Sequence, residues 1–129
     1  MNGRILLDTN IVIAMFANEA AIIDHMEKLD EVFIPCIVIG ELSFGAQKSG
    51  RVSENLSQVN DFASNSEILG CDTETAFFYG QIKNSLRKKG MPLPENDIWI
   101  ASIALQYDSI LVTRDTHFDK IEKLKIEYW

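Results

Sequence analysis

Four carboxylates in this chain stand where a charge is out of place: Asp8, Glu41, Asp97 and Asp115. Asp8 directly follows the apolar run Ile5-Leu6-Leu7, and Asp115 comes shortly after Ile110-Leu111-Val112, so both belong to the carboxyl ends of buried-strand patterns. Glu41 shares a helical face with Ile37, Val38 and Gly45, and Asp97 shares one with Ala101 and Ala104. An acid on such a face costs free energy unless a positive charge pairs with it, and the stretch from Val32 to Gln47 holds no Lys or Arg. A divalent cation supplies the missing charge, and an all-oxygen donor set selects magnesium or manganese over zinc. Singly, each acid has a plainer role as a turn residue, a helix cap or a complement to a helix dipole. Only their meeting would make a site.

The elements that must bring them together are legible from periodicity. Short apolar runs predict strands over Arg4 to Leu7, Val32 to Ile34, Glu67 to Leu69, Ile110 to Val112 and Lys125 to Tyr128. Helical patterns cover Ile11 to Leu29, with Asn18 as the candidate break, then Cys36 to Ser49, Ser53 to Ser64, Thr73 to Lys89 and Glu95 to Tyr107. Phe78, Ile82 and Leu86 recur at helical spacing, and Gly90 followed by Pro92 and Pro94 stops that helix. Strands separated by helices imply an α/β chain with a mostly parallel sheet and right-handed crossovers. Ligands of such sheets bind beyond the carboxyl ends of the strands, the edge that Asp8 and Asp115 occupy.

Composition narrows the classes. The 129 residues, 47% hydrophobic and 24% charged, fit one globular domain over residues 1–129 with a core that needs no disulfide or metal staple, so a metal here would be functional. Nineteen acids against 12 bases give a net charge of −7, which excludes nucleic-acid binding through a broad positive field but not through a local site. No apolar run reaches the roughly 20 residues of a membrane span, so no membrane contact and a cytoplasmic location are expected. Cys36 and Cys71 lie in apolar surroundings, away from metal-ligand spacing with each other, His25 or His117, and are read as reduced core thiols.

Taken in order, Leu6-Leu7-Asp8-Thr9-Asn10, Gly40-Glu41-Leu42, Asn96-Asp97-Ile98-Trp99-Ile100-Ala101 and Leu111-Val112-Thr113-Arg114-Asp115-Thr116-His117-Phe118 resemble a PIN-domain ribonuclease, specifically the VapC-type toxin of a toxin–antitoxin pair. The resemblance spans essentially the whole chain, with the order and spacing of the segments carrying it. It implies a three-layer α/β/α fold around a five-stranded, mostly parallel sheet. It also implies an acidic metal-binding quartet at Asp8, Glu41, Asp97 and Asp115, one or two Mg2+ ions with Mn2+ as a substitute, and hydrolysis of RNA phosphodiester bonds. Such ions activate water and stabilise a leaving oxygen without a covalent intermediate. Homodimerisation and inhibition by a cognate antitoxin, whose C-terminal segment lies over the active site, are further implications.

Around the quartet, Thr9, Asn10, Asn96 and Thr113 are candidates to orient ligands or waters, although turns and caps favour the same residue types. His117 is read as structural, because the sequence shows no partner for its ring. Lys83 and Arg87 are read as a solvated helix end, and Trp99 as packing rather than as a base-stacking platform. The competing readings are a solitary RNA-processing PIN nuclease, a PIN fold that only binds protein, and a receiver-like signalling domain. A receiver usually carries paired acids after its first strand and an aspartate after its third; here one acid follows the first and Leu69-Gly70-Cys71 the third. Asn10 likewise stands where a haloacid-dehalogenase-like phosphatase needs a second aspartate.

Overall fold

The computed structural model describes residues 3–129. The chain runs β1 (Arg4–Leu7), α1 (Thr9–Phe16), α2 (Ala20–Glu27), β2 (Val32–Pro35), α3 (Cys36–Gln47), α4 (Val52–Ser64), β3 (Glu67–Leu69), α5 (Thr73–Lys89), α6 (Glu95–Gln106), β4 (Ser109–Thr113), a 3-10 turn (Thr116–Lys120) and β5 (Lys125–Tyr128). The long first helical pattern is indeed two helices, broken at Asn18, which takes the left-handed conformation at φ 58°. At the end of α5 Gly90 adopts φ 65°, and the Gly90 and Met91 amides donate to the Arg87 and Leu86 carbonyls. That is the glycine stop read from sequence.

All strand pairings are parallel, in the order β3-β2-β1-β4-β5. β1 and β4 lie side by side at the centre, with Leu7 opposite Val112. Their continuous apolar runs follow from this placement: Leu6, Leu7, Leu111 and Val112 are fully buried because helices cover both faces. From β1 the chain steps outward through β2 to β3 and then crosses back to β4, so the winding direction reverses between β1 and β4. A crevice opens beyond the carboxyl ends of strands at such a reversal.

The core joins this sheet to Ile11 and Val12 of α1, Val38 of α3, and Ile100, Ala101, Ile103 and Ala104 of α6, all fully buried. Phe118 is also fully buried and pins the 3-10 turn against the sheet. The turn therefore returns close to the end of β4 instead of extending into solvent. Among the described residues no helix is long and apolar enough to cross a membrane.

Candidate metal centre

Asp8 is positioned twice, as the last link of one ladder and as the cap of a helix. Its amide donates to the Val112 carbonyl at 2.9 Å, which extends the β1–β4 ladder by one step. Its side chain then caps α1, with Oδ1 accepting from the Thr9 amide at 2.8 Å. Oδ2 accepts from the Thr113 hydroxyl at 2.7 Å and from Asn10 Nδ2 at 3.4 Å. The residue is only 5% exposed. Burial raises its carboxyl above the ordinary value; the hydrogen bonds from Thr113 and Thr9 pull it back, and repulsion from Asp97 and Glu41 raises it further.

Glu41 reaches toward the same edge from α3. Its Oε1 accepts from the Thr9 hydroxyl at 2.6 Å, and its Oε2 from Asn96 Nδ2 at 3.4 Å. Asp97, in the first turn of α6, lies 2.6 Å from His117 Nε2 through its Oδ2. Burial raises its carboxyl as well; His117 offsets part of this, while Glu41 and Asp115 add repulsion. Asp115 caps the 3-10 turn, with Oδ1 accepting from the His117 amide at 3.2 Å and lying 2.8 Å from His117 Nδ1. Its own amide donates to the Thr113 hydroxyl at 3.0 Å.

These contacts close a chain of neighbours. Glu41 meets Asp8 through Thr9, Asp8 meets Asp115 through Thr113, and Asp115 meets Asp97 through His117. All four carboxylates thus gather at one end of the sheet. One ligand atom each from Asp97, Asp115 and His117 lies within 4.8 Å of the others; Asp8 and Glu41 are not part of that compact group and join it only through the hydrogen bonds of Thr113 and Thr9. Thr9, Asn10, Asn96 and Thr113 each contact the cluster, and the Asn10 side-chain Oδ1 also accepts from the Arg114 amide at 3.2 Å. The nearest guanidinium does not neutralise the acids. Arg114 turns away to Glu19, at 2.8 and 3.2 Å, and to the Trp129 carbonyl at 3.0 Å. Hard oxygens, two carboxyls raised by burial and repulsion, and, among the described residues, no arginine or lysine paired with the four acids fit a divalent cation.

His117 corrects the sequence reading. Its ring has two partners, both of them acids of the quartet. The missed signal was tertiary: the His117 ring meets Asp97 of α6 and Asp115 just after β4, residues that only the fold brings together. The cysteines also differ from expectation. Cys71 is exposed and Cys36 half-buried, and the two thiols are neighbours because β2 and β3 end side by side. Partial burial, then the Cys36 thiol, pushes the Cys71 thiol up to about 11. Trp99 stacks on Tyr79 at 4.1 Å, the packing role read from sequence; Lys83, read as part of a solvated helix end, is exposed and pairs across to Glu95 of α6 at 3.0 Å.

Comparison with known proteins gives a consistent result. The PIN domain family model matches residues 5–124. "Ribonuclease VapC2" of Rickettsia felis is 33% identical, with 96% of each chain covered. "tRNA(fMet)-specific endonuclease VapC" of Salmonella typhimurium is 34% identical, with 98% of each covered. Among solved structures, DNA-bound VapBC from Salmonella typhimurium includes a chain that superposes with a TM-score of 0.91 at 32% identity, covering 98% of both.

Proposed function

Because the chain belongs to the PIN-domain family and is similar throughout to its VapC-type ribonucleases, we propose that it is the endoribonuclease of a toxin–antitoxin pair, using Mg2+ or Mn2+ at Asp8, Glu41, Asp97 and Asp115. The observation that carries the reading is the convergence of these carboxylates at the β1–β4 crevice, linked one to the next through Thr9, Thr113 and His117. Bound there, one or two such ions supply an activated water and offset the charge of the phosphate.

The chain's own residues set up that chemistry. Thr113 and the Thr9 amide fix both oxygens of Asp8, and Thr9 and Asn96 hold Glu41 from either side. His117 acts as a positioning residue that keeps Asp97 and Asp115 at a common distance. Nothing in this arrangement calls for a covalent intermediate. The partners that follow are an RNA strand, a second copy of the chain in a homodimer, and a cognate antitoxin, all in the cytoplasm. The VapB-containing complex of the Salmonella relative supports the antitoxin.

The test is cleavage of an RNA panel that includes initiator tRNA, since relatives are named for it. Cleavage should stop in excess chelator and return with Mg2+ or Mn2+. Cutting that continues undiminished in chelator contradicts the reading.

A further inference from the structure

On α3, one turn beyond Glu41, an aromatic ring faces solvent: Phe44 is 64% exposed. It lines a groove of about 730 Å³ together with Ile13, Ile37, Gly40, Gly45 and Lys48. Glu41 and its hydrogen-bond partner Asn96 line the same groove, so the groove reaches the edge of the acidic cluster. Ile13 is itself 54% exposed and adds a second apolar side chain to that surface. The Lys48 ammonium stands 4.9 Å from the Phe44 ring centroid and makes no ion pair with an acid among the described residues.

An exposed ring, a free cation and a carboxylate cluster in sequence along one groove ask for an occupant that is flat, apolar on its face and negatively charged at its edge. A nucleotide has those properties. An apolar peptide would leave the ammonium unused. We propose that Phe44 and Lys48 form a nucleotide subsite beside the acidic pocket. Phe44 stacks an unpaired base of the RNA strand next to the scissile phosphate, and Lys48 pairs with that nucleotide's phosphate. The subsite rests on the ribonuclease reading and sharpens it, because a base that stacks on protein must lie outside a duplex.

The probe is a mixed-sequence single-stranded RNA of about ten nucleotides, the scale of one single-strand groove. Binding is measured in an Asp97→Asn background so that the probe stays intact. Phe44→Ala and Phe44→Leu should each weaken binding about 5- to 150-fold, the range for losing one base–aromatic stack. Phe44→Trp should retain binding, and RNA should quench the introduced indole relative to the signal of Trp99 and Trp129. In the cleaving protein, Phe44→Ala should raise KM while leaving kcat nearly unchanged.

Wild-type affinity in both the Ala and Leu variants, or an unquenched indole, overturns the subsite. So does normal RNA binding with lost self-association in sedimentation, which assigns the patch to a second copy of the chain. The two readings fail separately. Quenching without metal-dependent cleavage by the Phe44-intact protein removes the nuclease and keeps the subsite; metal-dependent cleavage with unchanged KM in Phe44→Ala does the reverse.

Discussion

Replacing Thr113 by Val removes one buried hydroxyl while keeping the β-branched shape that suits the end of β4. Thr113 is fully buried. Its hydroxyl donates to Asp8 Oδ2 at 2.7 Å, accepts from the Asp115 amide at 3.0 Å, and lies 3.4 Å from Asn10 Nδ2. A hydrogen bond to a charged acceptor contributes about 1.5–3 kcal/mol, and an amide left partly unpaired costs up to about 1 kcal/mol more. The expected loss is therefore about 1.5–4 kcal/mol. With a urea slope near 2 kcal/mol/M, that lowers the unfolding midpoint of the chelator-treated protein by about 1–2 M. Thr113→Ser keeps the hydroxyl, loses one methyl and should cost only about 1 kcal/mol. Asp8 in the Val variant also loses the bond that most offsets its burial, so its carboxyl should rise further and hold a divalent ion less well. A Val midpoint within about 0.3 M of wild type, or a Ser variant as unstable as the Val one, refutes the placing of this hydroxyl as a support of Asp8.

Asp97→Asn should abolish RNA cleavage and leave the far-UV circular dichroism and cooperative unfolding intact; loss of folding would count against a functional role. Asp8→Asn should likewise be inactive, and in chelator at neutral pH its unfolding midpoint should equal or exceed that of wild type, because the substitution removes a buried charge repelled by Asp97 and Glu41. pH separates these effects. Asp8 and Asp97 have raised folded values, so the stability they contribute is fully present below their ordinary value of 3.8 and is lost as pH rises through the raised one. Urea melts in chelator between about pH 4 and pH 7 should show wild type losing stability relative to Asp8→Asn, and parallel curves would contradict the raised carboxyl. Phe118→Ala empties a fully buried site and should cost about 3–5 kcal/mol in the same melts, with a loss under 1 kcal/mol inconsistent with its role as the anchor of the 3-10 turn.

What sequence made legible follows from how local each signal is. β1 and β4 were readable because strands buried on both faces become continuous apolar runs, and an acid placed just after such a run has few positions available to it. Glu41 and Asp97 were readable because helical spacing shows which face a residue shares, here with Val38 and with Ala101. The parallel register that sets Leu7 opposite Val112 is not written in either strand. It is set by which apolar faces of the two strands meet in the folded sheet, a pairing between residues about a hundred positions apart. His117 escaped because its partner Asp97 lies on α6, twenty residues away, and the sequence does not show that α6 packs against the turn after β4. The Cys36–Cys71 contact escaped for the same reason, since only the pairing of β2 with β3 brings the two residues together. The exposure of Phe44 was equally invisible, because a helical pattern tells which residues share a face but not whether another element covers it.

Calorimetric titration of Mn2+ into protein stripped of metal, comparing wild type with Asp8→Asn and Asp97→Asn, tests the metal pocket itself. The account predicts saturable binding of one or two ions by wild type and at least about a tenfold weakening in each variant, the scale of losing an anionic ligand or its orienting partner. Equal affinity in all three proteins, or no binding to wild type, would contradict it.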